Sequence, residues 1–273
     1  METVGHYRIL ERLGESRLGE MFRARDTRLG RSVALTIPAD DIQNDPPRRT
    51  QLLADAQRAM AVSHPNIAAL YEVGDDAGRL YLAFEFVPGE PLERVIAGHP
   101  LNPRRALDLT IQVADGLAEA HAADMSHGAL TTRTIVVTPK GNAKILEFGF
   151  AKWTATVVAP ATNASDLDAL RALLFEMLTG RPHEASGVAP TTLNKSLPAE
   201  VDALVVKNHD SAVVFAAELR TLAAVLETRA EAARTTRPTP LRGRRRRSKA
   251  ALIAGLLAIV VAAAIAAAWW WFR

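Results

Sequence analysis

The sequence contains no cysteine, which excludes disulfides, thiolate metal sites and a cysteine nucleophile together. Its seven histidines fall without metal-ligand spacing, so no structural metal is expected. No lysine occurs before Lys140, a gap that matters wherever chemistry needs an ammonium group. No internal repeat or low-complexity block is present, and Met1 to Leu13 is charged, without the apolar run of a signal peptide. What remains is a chain of 273 residues with 48% hydrophobic content, enough for one sizeable core, expected as two lobes of a single domain.

The net charge of +3 hides a division. Residues 234–249 carry eight Lys/Arg and no acid, and Arg273 adds a ninth; of the 33 bases, 24 are left to face all 30 acids in residues 1–233, a net charge of −6. A basic tail on an acidic domain argues against nucleic acid as a partner. Ala250 to Phe272 is 23 residues without a charge, ending in three tryptophans and a phenylalanine. A bilayer core needs about 20 such residues, with aromatics at the interface. A transmembrane helix is expected over residues 250–272. The adjacent Arg244, Arg245, Arg246, Arg247 and Lys249 place the N-terminal domain in the cytoplasm, held at the cell membrane by a single span. The same basic residues could act as a topology signal alone or bind anionic lipid headgroups. Thr235, Thr236 and Thr239, in the Thr/Pro/Arg linker over 229–249, are candidates for phosphorylation that would weaken such binding.

The stretch from Ser126 to Gly149 reads as loop, strand (Ile135 to Thr138), turn, strand (Ala143 to Leu146) and a sharp exit through Glu147-Phe148-Gly149. With its loop His127-Gly128-Ala129-Leu130-Thr131-Thr132-Arg133-Thr134, this layout resembles the protein kinases, and most closely the bacterial Ser/Thr kinases, which carry H-R-D-L-x-x-x-N and then D-F-G. The resemblance covers about residues 5–228 and implies an α+β fold: a two-lobed protein-kinase-like domain with an antiparallel-sheet N-lobe and a mostly helical C-lobe. It also shows what is altered. The proton-accepting Asp is Ala129, the magnesium-holding Asn is Thr134, and the metal-binding Asp is Glu147, one methylene longer.

Upstream, Tyr7 to Leu13, Gly19 to Asp26 and Arg31 to Ile37 read as strands. The family's glycine loop appears as Gly14-Glu15-Ser16-Arg17-Leu18-Gly19, with Ser16 at the middle glycine. The family's V-A-I-K is Val33-Ala34-Leu35-Thr36, so the phosphate-binding lysine is a threonine; Arg17 or Arg23 are weak substitutes, because a guanidinium fork is not an ammonium point charge. Pro47 to Val62 fits helix C, with Asp55 in the glutamate's place and without a lysine partner. Leu80 to Val87 matches the fifth strand and hinge. The resemblance implies an adenine pocket of Leu13, Met21, Ala34, Phe84, Glu85, Val87 and Val136. It also implies a structural set of His127, Phe148, Gly149 and Asp166, with Leu70 and Ala59 completing a hydrophobic stack that is loose at the small Ala59.

Asn102 to Ala123 is an amphipathic helix, on which His121 reads as a packed residue, and His64 reads as a turn histidine. Ser165 to Pro182 matches the family's helix F. The segment between Gly149 and Asp166 is only 16 residues long, with an Ala159-Pro160-Ala161 echo of the family's A-P-E, and Glu200 to Thr228 provides shortened final helices. Loss of the base, the asparagine, the lysine and the substrate platform together favours a membrane-anchored pseudokinase, catalytically inactive, acting as an adaptor, scaffold or allosteric regulator beside a protein partner such as an active kinase. The alternative is a weak or atypical ATP-dependent Ser/Thr protein kinase using Glu147 for magnesium. No cofactor follows with certainty; an intact adenine slot with altered phosphate contacts suits ATP without productive magnesium.

Overall fold

The structure, a computed structural model, describes residues 2–154, 161–183, 188–235 and 249–271. Two compact units are present, Met1–Glu227 and Thr228–Arg273. In the first unit, β1 (Thr3–Val4), β2 (Tyr7–Glu15), β3 (Gly19–Asp26) and β4 (Ser32–Pro38) precede the helices α1 (Asp40–Gln43) and α2 (Pro46–Met60), and β5 (Leu70–Asp76) and β6 (Arg79–Glu85) follow. These strands form an antiparallel sheet in the order β1-β2-β3-β4-β6-β5.

Period-two alternation gives the sheet two uses. Val33 and Leu35 of β4, with Tyr81 and Ala83 of β6, pack one face around Tyr7. Leu80 and Leu82 point the other way and join Leu52 and Ala56 of α2. Ala34 and Thr36 therefore fall on the cleft side, where both line the space below the sheet. Gly19 is required where β3 leaves the glycine loop: its φ is +149°, and a Cβ there would lie 2.0 Å from the Ile37 carbonyl oxygen.

The second lobe begins with β7 (Glu90–Pro91), α3 (Leu92–Ile96) and α4 (Pro103–Ala122). It continues through β8 (Ile135–Val137), β9 (Ala143–Ile145), α5 (Ala151–Thr154), α6 (Asn163–Thr179), α7 (Pro190–Leu193), α8 (Glu200–Val206) and α9 (Ala212–Thr235). β7, β8 and β9 form a small antiparallel sheet. Leu107 and Leu117 of α4, Leu170 and Leu174 of α6, and Phe215 and Leu219 of α9 belong to one buried core. Each such leucine contributes about 1.5–3 kcal/mol by leaving water. Asn102 caps α4 by accepting from the Arg104 amide at 2.9 Å. α6 opens on a capping box between Thr162 and Ser165, which places Asp166 in the first turn, where the helix dipole favours an acid.

The expected two-lobed α+β architecture is present, with small shifts at element ends. One difference is larger: α9 runs through Thr235 instead of ending near Thr228, because Arg229 to Arg234 is rich in Ala, Glu and Arg, all strong helix formers.

In the second unit α10 (Lys249–Trp271) is helical over residues 250–271 of the segment expected to span a membrane, and Phe272 lies outside the described residues. Among the described residues no helix is long and apolar enough to cross a membrane; the side chains of residues 249–258, where α10 begins, lie outside what is described. Residues 236–248, with Thr236, Thr239 and Arg244 to Arg247, also lie outside it, as do Ala159 and Pro160.

Candidate active site

The loop after α4 is pinned by one carboxylate. Asp166, fully buried, accepts hydrogen bonds from the amides of His127 (2.7 Å) and Gly128 (2.8 Å) and pairs with the ring of His121 (2.9 Å). His121 is thus more than the packed helix residue expected: it supports the carboxylate that shapes the loop. The His127 ring accepts from the Ala129 amide through Nδ1 (3.1 Å) and faces the Leu146 carbonyl through Nε2 (3.0 Å). That pattern requires the Nε2–H tautomer. Burial pushes the His127 pKa below its ordinary value, so the ring is neutral, and Phe148 meets it edge-on at 5.5 Å. Gly128 has φ +74°, and a Cβ there would lie 2.4 Å from the Ala161 Cβ, so the loop's tight path needs glycine.

The residues at the altered catalytic positions have definite local roles. Ala129 is half-buried and brings no titratable group. Thr134 closes its own loop, accepting from the Thr131 amide (2.9 Å) and donating to the Thr131 carbonyl (3.0 Å). Glu147 is a non-glycine residue with φ +57°, a left-handed conformation that costs of order 1–3 kcal/mol and clusters at functional sites. Burial raises the Glu147 pKa, and a hydrogen bond from the Thr154 hydroxyl opposes that rise. Among the described residues no cation pairs with it.

Glu147 opens onto an apolar cleft of about 70 Å³, narrower than the roughly 300–1,000 Å³ of most small-molecule sites. Met21, Ala34, Phe84 and Glu85 line it as expected, with Thr36 beside them. Three expected residues do not. Leu13 is 46% exposed, because the β2–β3 register shifts between Arg12 and Gly14 and turns it outward; Leu18, 3% exposed, lines the cleft instead. Val136 is buried against the Gly89 backbone, and half-buried Val87 lies outside the lining. The Glu85 amide is already bonded to the Ala69 carbonyl (2.8 Å). Its carboxylate pairs with Lys144 at 2.6 Å, which commits that lysine to the hinge end of the cleft. Arg23 pairs with Glu11 (3.1 Å) and stacks over Phe86 (4.8 Å), so it does not replace the missing lysine at Thr36.

Asp55 requires a correction. It is 2% exposed and has a lysine partner after all: Lys152 Nζ at 2.6 Å, with Trp153 Nε1 (2.9 Å) and Arg58 (2.5 Å) completing its shell. Phe150 and Trp153 are buried with Leu52, Ala56, Ala59 and Leu70, so bulky side chains from beyond Gly149 pack beside the small Ala59. No local pattern in the sequence points to these contacts, which join residues almost one hundred positions apart.

Burial of an acid with a raised pKa has a sign that can be checked. The folded Glu147 holds its proton at higher pH than the unfolded chain, so stability declines as pH rises from about 4.5 through the raised value. Glu147→Gln is therefore expected to raise the melting temperature at pH 7–8, with the gain shrinking toward pH 4.5. Melting curves of both proteins across that range check it.

A family model described as "Protein kinase domain" matches residues 7–166. The serine/threonine-protein kinase PrkC of Bacillus subtilis is 28% identical over 239 residues, covering 74% of this chain and 37% of its own length. PknA of Mycobacterium tuberculosis is 32% identical over 212 residues, covering 67% of this chain and 49% of its own length. The chain thus spans roughly a third to a half of these relatives. A crystal structure of the PknI kinase domain of Mycobacterium tuberculosis superposes with a TM-score of 0.67 at 20% identity, covering 81% of this chain and 96% of that one; it shows the same fold. These findings correct the expectation of a domain without enzymatic activity. The family model extends over Thr36, Ala129, Thr134 and Glu147, and the relatives are named as Ser/Thr protein kinases. The chain belongs to the protein kinase domain family.

Proposed function

We propose that the chain is an atypical ATP-dependent Ser/Thr protein kinase, slow because it works without a carboxylate base. The observation that carries this reading is Glu147: an acid without a cation partner among the described residues, held in a left-handed conformation at the inner wall of an apolar cleft. Leu18, Met21, Ala34 and Phe84 offer apolar walls to a purine, and Glu147 offers a hard oxygen ligand to magnesium. Among the described residues no group of three or more acidic or histidine side chains gathers around an ion, so the nucleotide's own oxygens and water would complete that ion's shell. Bound ATP would supply the phosphoryl group.

The chain's own residues hold the geometry. Asp166 and His127 fix the loop that a substrate hydroxyl would approach, and Glu147 would hold the magnesium ion whose charge offsets that of the phosphates. Phosphoryl transfer depends mostly on positioning and charge neutralisation, and general-base assistance is worth about 10² to 10⁴-fold. The turnover expected is lower than the family's ordinary range of about 1–100 s⁻¹ by about that factor. Transfer of the γ-phosphoryl group from labelled ATP to the full chain itself, or to a Ser/Thr peptide, tests this. Transfer is expected to need magnesium and to fall at least about 100-fold in Glu147→Ala; equal transfer by both proteins rejects the assignment.

Membrane attachment through α10, with the kinase domain on the cytoplasmic side, is part of the same proposal, supported by the uncharged run from Ala250 to Phe272. Sedimentation of the full chain with membranes, and its release when residues 250–272 are deleted, is the expected result; sedimentation that survives the deletion counts against it.

A further inference from the structure

The cleft face of the first sheet continues past the cleft. Residues paired across an antiparallel ladder share a face, and β3 and β4 step along it in twos: Met21 beside Thr36, Arg23 beside Ala34, Arg25 beside Ser32. β2 keeps pace only because it is bulged. Its register shifts between Ile9 and Glu11 and again between Arg12 and Gly14, so Gly14, Glu11 and Arg8 face the same way at steps of three. Leu10 and Leu13, left over at the two bulges, are 47% and 46% exposed. Arg8 therefore stands directly opposite Arg25, and Thr3 of β1 stands on the other side of Arg8.

The row Thr3–Arg8–Arg25–Ser32 thus crosses four strands, with two guanidinium groups flanked by two hydroxyl groups. At about 4.8 Å per strand it is about 14 Å long. Thr3, Arg8 and Arg25 are exposed and Ser32 is half-buried. Like charges placed directly opposite one another weaken a sheet, and no neighbouring acid relieves these. Glu11 is held by Arg23, Glu15 and Glu20 are held by Arg12, and the buried Asp26 is taken up by the amides of Arg28 and Leu29 and by Arg31. Among the described residues the side chains of Arg8 and Arg25 have no hydrogen-bond or ion-pair partner. The row is a line of donors whose acceptor comes from outside the domain.

We propose that this row is a binding site for a phosphorylated serine or threonine side chain of a partner protein. Such a group carries a charge of about −1.5 to −2 and three strong acceptor oxygens, enough to neutralise both arginines, whereas one carboxylate neutralises one. The guanidinium fork matches phosphate through paired hydrogen bonds, and the hydroxyl groups at either end extend the set of donors. The net charge of −6 over residues 1–233 repels the long phosphate backbone of a nucleic acid and leaves room for a single local phosphate. The row lies one step beyond Arg23, which stacks over Phe86 at 4.8 Å, outside the cleft that Glu147 opens onto. The site therefore does not depend on nucleotide binding or on phosphoryl transfer.

Fluorescence anisotropy of a labelled peptide carrying one phosphothreonine, and of its unphosphorylated twin, with the full chain tests the site. The phosphorylated peptide is expected to bind at least about 10-fold more tightly, as charged hydrogen bonds of ordinary strength would give, and to weaken as salt rises. That advantage is expected to vanish in Arg8→Gln and in Arg25→Gln, and to persist in Arg94→Gln, the same charge change at an exposed position of α3. Melting temperatures of the two row variants should equal or exceed that of the wild type, because one of two opposed charges is gone, so lost binding is not lost folding. No advantage for the phosphorylated peptide, an advantage unchanged in both row variants, or an equal loss in Arg94→Gln overturns the site. Complete displacement of the peptide by an equal concentration of inorganic phosphate, or tighter binding of an oligonucleotide of equal charge, overturns the protein partner.

Discussion

Ala129→Asp is expected to raise the rate of phosphoryl transfer by about 10² to 10⁴-fold, the usual worth of a positioned base. The reason lies in how firmly the surrounding loop is held. Asp166 bonds the two preceding amides at 2.7 and 2.8 Å, and the Ala129 amide itself donates to His127 Nδ1 at 3.1 Å. A carboxylate introduced at 129 inherits a backbone already fixed, with Ala129 half-buried and not sealed in the core. Steady-state rates on a Ser/Thr peptide check the expectation, with Ala129→Asn as the control that adds bulk and hydrogen bonding but no base. The gain should appear in kcat and be absent from the asparagine variant. Equal gains in both variants, or none in either, would mean that the base is not what limits transfer.

The second large effect concerns stability. Asp166→Ala removes the acceptor of two loop amides and the partner of the His121 ring at a fully buried position. Each buried donor left unpaired costs about 1–3 kcal/mol, so a total loss of about 3–5 kcal/mol is expected. For a domain of this size that is roughly 6–20 °C in melting temperature, at about 2–4 °C per kcal/mol. Asp166→Asn keeps one acceptor and should cost less. Urea unfolding of the three proteins measures this; a loss below about 1 kcal/mol in Asp166→Ala would mean that the loop is held elsewhere.

Much of the frame was legible because it is local. The apolar spacing of α2 and α4 and the strand runs of β4 and β6 are each written within a few residues, and α6 is legible through its resemblance to the family's helix F. What escaped was long-range or irregular. A register shift in β2 turned Leu13 outward and left Leu18 to line the cleft. No lysine precedes Lys140 in the sequence to pair with Asp55, and the structure supplies the partner from α5, next to a tryptophan 98 positions away from Asp55. His121 looked like packing because its carboxylate partner comes from a different helix. The expectation of an inactive domain came from the joint absence of the base, the asparagine, the lysine and the substrate platform, and the family match and its named relatives overturn it. The hold of Asp166 and His127 on the loop joins different elements and is not written in any one stretch of sequence.

The central claim is that Glu147 binds a cation together with a nucleotide in the cleft. Thermal unfolding of the full chain with ATP, in magnesium and in EDTA, tests it most directly, with Glu147→Ala measured alongside. At about 100 times its dissociation constant ATP should stabilise the fold by about 2.7 kcal/mol, a rise of several degrees. That rise is predicted in magnesium for the wild type, and predicted to shrink sharply in EDTA and in Glu147→Ala. An equal rise in all three conditions, or no rise in any, would contradict the claim.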